Sequence, residues 1–257
     1  MTIKDIKEEA KIEMAGNRLI LIVGFVVTLV FWTTVTQILL SIFKQFVNGG
    51  EIYQYVSLLI VALFLFLLGD FLRSSYYWFG LDFLKGKKIE IKDAFQALKK
   101  ENIKSLLSLI TLRAIVVFLW SLLFVIPGIW KTYLYSQAPN YLKEDAKLTS
   151  MEALKKSEEQ MKGHIFNYMI LQLTFLPWYA LPGGFLAYYL WANKYELKVA
   201  LEVGGEAMEV ALGITLLIFF FIGVIILLFS LYVEPYKMIS KQIFYKEIKK
   251  NTQKRGE

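Results

Sequence analysis

The stretch ALGITLLIFFFIGVIILLFSLYV, Ala211 to Val233, contains no charged residue. A helix crosses a hydrocarbon core with about 20 apolar residues, so this run reads as a membrane span. Outward from it the same reading recurs. Residues 19–43 are almost wholly apolar, and further apolar runs cover 55–84, 105–126 and 165–181. The run from Tyr55 would reach roughly 43 Å at about 1.5 Å per residue, longer than a core of about 30 Å. It must tilt or protrude, and Tyr76, Tyr77 and Trp78 near its end read as an interfacial aromatic belt. A soluble core could not shelter so many runs, so the fold class expected is an all-α polytopic membrane bundle.

Composition agrees. Of 257 residues 56% are hydrophobic, and 20% are charged, below the roughly 25% of soluble domains. The absence of cysteine excludes disulfides, Fe–S clusters and thiolate zinc sites, and His164, the single histidine, excludes multi-histidine metal sites. There is no HExxH, GxSxG or P-loop. No catalytic residue, metal or cofactor is therefore expected, and the protein reads as a non-enzyme. The net charge of +7 could suggest nucleic acid, but the basic residues flank the apolar runs, where they set topology and meet anionic lipid. The partners expected are membrane lipids and a membrane protein, not nucleic acid. The first apolar run is too long for a signal-peptide core and should remain as a span.

Topology turns on residues 129–142. Fourteen helical residues cover only about 21 Å, and they include Lys131, Ser136, Gln137 and Asn140. Alone the segment looks re-entrant. Were it not to cross, Lys143, Lys147, Lys155, Lys156 and Lys162 would all lie outside, against the positive-inside bias. It is therefore read as a short fourth crossing sheltered by other helices. Six crossings result, with both termini in the cytoplasm. Twenty-three Lys and Arg then lie inside and only Lys44, Lys194 and Lys198 outside. Residues 1–17 read as an amphipathic surface helix or a frayed charged tail. The exit loop of the first span falls at Asn48, Gly49, Gly50 and Glu51. Residues 85–104 and 143–163 become cytoplasmic loops. The first carries an in-plane helix with Ile91, Phe95 and Leu98 on its apolar face, the second a helix opened by a capping box at Thr149-Ser150-Met151-Glu152. Residues 183–210 form an external loop, and 237–257 a basic cytoplasmic tail. Pro127-Gly128, Pro182-Gly183 and Pro235 are expected to break helices or mark close packing.

Three pieces of sequence carry a resemblance: Ile126-Pro127-Gly128-Ile129, then Tyr135-Ser136, then the helix from Glu152-Ala153-Leu154 to Met161-Lys162-Gly163-His164. With Leu173-Thr174-Phe175-Leu176-Pro177-Trp178 and Pro235-Tyr236, the order over about 80–245 resembles the DUF975 family of bacterial integral membrane proteins. Thr174 stands where that family usually has serine, Pro177 where it has glycine, and Gln172 where an acid is expected. The resemblance implies a six-helix membrane protein, loosely similar to the membrane domain accompanying some glycerophosphodiester phosphodiesterases. It implies no activity.

The charges inside the spans, Asp70, Arg73, Arg113 and Lys131, stand out, since each would cost about 2.5–3.5 kcal/mol at mid-membrane. They read either as packing ion pairs, Asp70 with Arg73 or with Arg113, or as a functional site. Lys85, Lys87 and Lys88 are expected to contact lipid headgroups. Glu202, Glu206 and Glu209 could share one helical face, which reads first as a solvated face and second as a cation site. His164 reads as an interfacial residue rather than a proton carrier. The functional expectation is a membrane protein that binds lipid or an amphipathic peptide, or an accessory subunit of an export or immunity system. The rival is a small secondary transporter using its intramembrane charges, with a weak internal repeat around Tyr135–Tyr141 and Tyr232–Tyr236 in its favour.

Overall fold

Where the chain is polar, side chains set the helix ends. The Thr2 hydroxyl accepts from the Asp5 amide at 3.2 Å, and the Asp5 carboxylate accepts from the Thr2 amide at 2.7 Å, a capping box that opens α1 (Ile3–Met14). The same device opens α7 (Ser150–Met161), where Thr149 and Glu152 exchange the bonds read from the sequence. The computed structural model describes residues 2–46 and 51–256, and no strand occurs among the described residues. The exit loop expected around Asn48, Gly49 and Gly50 lies outside them.

After α1 come α2 (Arg18–Phe46) and α3 (Glu51–Leu84), followed by a 3₁₀ segment, Ile91–Leu98, and α4 (Lys100–Leu123). Then follow α5 (Val125–Leu134), α6 (Ala138–Glu144), α7, α8 (Ile165–Leu173), α9 (Pro177–Ala192), α10 (Lys194–Val203) and α11 (Gly205–Gly256). Four helices are long and apolar enough to cross a membrane, over Arg18–Phe43, Tyr55–Leu84, Lys100–Leu123 and Met208–Thr252. A fifth span results if α8 and α9, bent by 50° at their junction, are one crossing.

The expected fourth crossing is not one helix. Residues 129–142 are divided between α5 and α6, ten and seven residues long, or about 15 and 10 Å. Tyr135, Ala138, Pro139, Asn140 and Leu142 within it are buried against protein. The prolines also behave differently from expectation. α4 stops at Phe124, which is extended (φ −158°, ψ 148°), and Pro127 lies in the first turn of α5, where amides lack helical partners anyway. Pro182 lies inside α9, and Pro235 inside α11, which runs on for 52 residues. An internal proline forfeits one helical hydrogen bond, whereas breaking a helix among apolar surroundings would strand several backbone groups. Continuing the helix is the smaller loss. The expected external loop at 183–210 is likewise helical apart from short junctions, α10 ending at Gly204 (φ +71°).

The 85–104 segment is kinked at Phe95, and α4 already begins within it. Its buried face is Ala94, Gln96 and Ala97, while Ile91 and Leu98 are exposed. The small residues let the segment sit close to α3, where Ser75 donates to the Ala94 carbonyl at 2.7 Å and accepts from the Ala97 amide at 3.1 Å.

The core lies at one end. It is built from the second half of α3 (Phe71 to Leu81), the start of α4 (Leu106, Leu109, Ile110), α6, α7, α8 and the stretch of α11 from Val233 to Ile248. α1 joins it through Ile6, Ala10 and Met14, so its apolar face is buried in protein, and the Tyr236 hydroxyl donates to the Lys7 carbonyl at 3.1 Å. At the other end the helices expose large apolar side chains: Leu59 and Phe66 on α3, Phe118 and Leu122 on α4, Phe185 on α9, Leu216 and Phe220 on α11. The exposed surface is hydrocarbon and the packed end is polar, as a membrane protein requires and a soluble one forbids.

Candidate functional site: a charged belt where packing gives way to exposed apolar surface

Each long helix changes character at a definite point, and charged side chains collect there. On α3 the exposed run ends at Phe66, burial begins at Phe71, and Asp70 and Arg73 lie between or beside them. On α4 burial ends at Ile110 and Arg113 follows. On α5 exposed Trp130 precedes Lys131, and buried Leu134 follows it. On α11 exposure ends near Tyr232, with Glu234 and Lys237 next.

Asp70 and Arg113 form an ion pair that ties α3 to α4 across 43 residues, with side chains only 18% and 17% exposed. Arg73, the alternative partner, is exposed and makes no ion pair among the described residues. Lys131 meets both carboxylate oxygens of Glu158 on α7, at 3.0 and 3.1 Å, with its ammonium 5.3 Å from the Trp120 ring and 5.2 Å from that of Tyr135. Ring faces stabilise cations where water is scarce. A second contact fixes the same corner: Ser157 donates to the Leu134 carbonyl at 2.6 Å and accepts from the Gln137 amide at 3.1 Å, spanning the α5–α6 break.

α11 adds a cluster whose two lysines the sequence reading assigned to the basic cytoplasmic tail. Glu234, Lys237 and Lys241 fall at i, i+3 and i+7, one helical face. Glu234 accepts from Lys237 at 2.9 Å and from the Tyr179 hydroxyl at 2.7 Å. Lys241 is 8% exposed. Its ammonium donates to the Tyr77 hydroxyl at 3.2 Å and lies 5.3 and 5.7 Å from the Tyr77 and Tyr168 rings. The spacing was visible in the sequence. What hid it was the assumption that Pro235 ended the helix.

Beyond the belt, at the polar end, the headgroup candidates are partly engaged by protein. Lys85 pairs with Glu144 at 2.7 Å and Lys87 with Asp82 at 2.6 Å, while Lys88 is exposed. Glu144 also accepts from Tyr245 at 2.7 Å and from Lys249. Burial alone would raise its pKa, but the bonds from Lys249, Lys85 and Tyr245 outweigh it and hold the carboxyl at about 2. The Trp78 indole donates to the Pro139 carbonyl at 2.8 Å, and Gln242, Asn140 and Gln137 form a buried amide chain. These bonds offset much of the cost of burying α6, short and polar, although Gln242 Oε1 in the same chain is buried without a partner among the described residues.

Gly128 has a packing role: a methyl group added there would fall 2.9 Å from the Cα of Ser121, so α4 and α5 touch through it. Gly183, beside Pro182, faces open space. Glu202 lies on α10, and Glu206 and Glu209 lie on α11 beyond the Gly204 break, so the three carboxylates share no single helical face. His164 is the residue from which α8 starts, half-buried. Two open cavities, each of about 550 Å³, lie elsewhere, one lined by Tyr189, Asn193 and Glu206, the other by Lys85, Glu144 and Lys249.

A helical protein with four or five apolar spans, a packed polar end and a charged belt between is an integral membrane protein. Residues 122–252 match the model of a family described as a protein of unknown function, DUF975, and the chain belongs to that family. The match starts later than the resemblance read from the sequence and leaves Asp70, Arg73 and Arg113 outside it. No curated protein and no solved structure matched the chain. Inside the match, two of the pieces that carry the resemblance meet in space: Phe175, at the α8–α9 bend, packs edge-on against Tyr236 with ring centroids 5.3 Å apart.

Proposed function

We propose that this is a non-enzymatic, multi-pass protein of the bacterial cytoplasmic membrane that binds lipid, or an amphipathic peptide, along its apolar half. It acts alone or as the accessory subunit of an export or immunity system. The observation that carries this reading is the unequal burial of the long helices. Large side chains such as Leu59, Phe66, Leu122 and Leu216 stay exposed although the same helices, α3, α4 and α11, are tightly packed a few turns away. Hydrocarbon is the partner that lowers the free energy of such surface. In this placement the charged belt lies at the water–lipid boundary and not at mid-membrane, and the packed end, with its excess of lysine, faces the cytoplasm.

The transport reading has less support. Asp70 and Arg113 satisfy each other, and neither lines the two cavities described above. The test is native mass spectrometry of protein released from mild detergent or nanodiscs. Persistent lipid or peptide adducts are expected. A protein that emerges bare under conditions that preserve its fold would refute the binding function.

A further inference from the structure

The belt is not electrically balanced. Asp70 is matched by Arg113, and Lys131 by Glu158. Around the Tyr77 hydroxyl the count differs. Lys241 donates to it, and Lys237, Arg73 and Glu234 lie within electrostatic reach of it. Glu234 is occupied by Lys237 and Tyr179. Three cations therefore share one carboxylate. Lys241 is nearly buried, and its only hydrogen-bond partner among the described residues is a neutral phenol. Arg73 is exposed, about 16 Å along α3 from Leu84 at the polar end, next to the apolar surface.

A nearly buried ammonium with no salt-bridge partner of its own, sharing the Glu234 charge with Lys237, is costly in water-poor surroundings. Tyrosine faces offset part of that cost, and Arg73, facing outward, has not even those. An arginine at that position carries five donors suited to bidentate anion recognition. We propose that Arg73, Lys241 and the Tyr77 hydroxyl form a site for a singly charged phosphate or carboxylate group, presented from the bilayer side by an anionic amphiphile. Arg73 grips the oxygens from outside, Tyr77 turns its hydroxyl to donate, and Lys241 supplies the charge behind it. Lys237 stays with Glu234 and keeps that carboxylate from competing for Lys241. The site rests on the lipid-binding reading and adds headgroup selectivity to it.

The experiment is a competition read by native mass spectrometry. The full-length protein is equilibrated with equal amounts of phosphatidylglycerol and phosphatidylcholine of identical acyl chains. The wild type should carry the anionic lipid in at least about 5-fold preference, the effect of one basic group at a membrane surface. Arg73→Gln, at an exposed position where folding is not at stake, should reduce that preference about 5-fold. Lys241→Gln should do the same and Lys241→Arg should keep it. In all variants the retention of phosphatidylcholine offered alone should be unchanged. Millimolar inorganic phosphate distinguishes sources: displacement of the adduct assigns the anion to the aqueous phase, and retention assigns it to lipid, both at the same residues. Equal retention of the two lipids by the wild type overturns the site while leaving lipid binding intact. So does a preference that survives both glutamine variants. Absence of adducts with either lipid overturns the parent reading as well.

Discussion

Cutting the Asp70–Arg113 pair from one side should cost more than cutting it from both. Each side chain is less than a fifth exposed, and the pair is the ionic tie between α3 and α4 at the level where packing ends. Arg113→Gln leaves a carboxylate facing apolar neighbours, and Asp70→Asn leaves a guanidinium there. For fully buried pairs the loss of one partner costs about 3–5 kcal/mol, mostly the stranded charge. The residual exposure here lets some water in, which brings the expected cost to about 2–3 kcal/mol per single change. In a chain of this size each kcal/mol moves the midpoint by about 2–4 °C, so single variants should melt roughly 4–12 °C below wild type in detergent. The double variant strands no charge and should lie closer to wild type than either single, a coupling of about 2 kcal/mol or more. Thermal unfolding followed by tryptophan fluorescence, at one detergent concentration and neutral pH, gives all four corners of the cycle. Additive losses would mean that the two side chains do not sense each other, and the reasoning about the belt would fail with them.

Glu144 sets the acid limit of the polar end. Its folded pKa lies at about 2 against a reference of 4.5. The stability it contributes is therefore complete above about pH 4.5 and lost as pH falls toward 2. The full shift corresponds to about 3 kcal/mol at about 1.4 kcal/mol per pH unit. Screening reduces this to about 1–2 kcal/mol, since Lys85 and Lys249 are each more than a third exposed. Glu144→Gln should be less stable at pH 7 and should lack that part of the acid-induced loss, as urea unfolding at stepped pH would reveal. An undiminished acid slope in the variant would place the titration elsewhere. The two Pro-Gly pairs should respond oppositely to alanine. Gly128→Ala pushes a methyl group into the Ser121 backbone and should cost about 1–3 kcal/mol, whereas Gly183→Ala, in open space inside a helix, should be neutral or gain up to about 1 kcal/mol. Equal thermal shifts for the two would contradict the assignment of Gly128 as the α4–α5 contact.

Apolar run length was enough to reveal an all-helical membrane protein, because a hydrocarbon solvent forces backbone groups to pair within each helix. Residue type and spacing likewise narrowed the partner of Asp70 to Arg73 or Arg113, since a lone charge among apolar residues needs a partner, and the fold pairs it with Arg113. The partner of Lys131 was not legible: Glu158 is 27 residues away, on α7, read as an amphipathic helix of a cytoplasmic loop and not as a partner of the spans. The prolines misled for a physical reason. In water a proline terminates a helix cheaply, because water pairs with the freed groups. Within apolar helices no such partner exists, and Pro182 and Pro235 are carried inside α9 and α11. That one assumption also hid Lys241, which became tail in the sequence reading and is core in the fold. Short α6 escaped detection because its burial depends on the Trp78 indole of α3, the Ser157 hydroxyl of α7 and the Gln242 amide of α11, information no local window contains.

The central claim is that the charged belt marks the water–lipid boundary, with hydrocarbon around the apolar half. The chain has no cysteine, so single cysteines carrying nitroxide labels can be walked along α3 and α11 in bilayers. Accessibility to oxygen and to a water-soluble nickel complex is then measured at each position. Labels at Leu59, Phe66, Leu216 and Leu228 should favour oxygen, and the ratio should invert on passing Arg73 on α3 and Tyr232 on α11, with a label at Lys246 open to the nickel complex. Free access of the nickel complex to Leu59 and Leu216, or an inversion at neither point, would contradict the account.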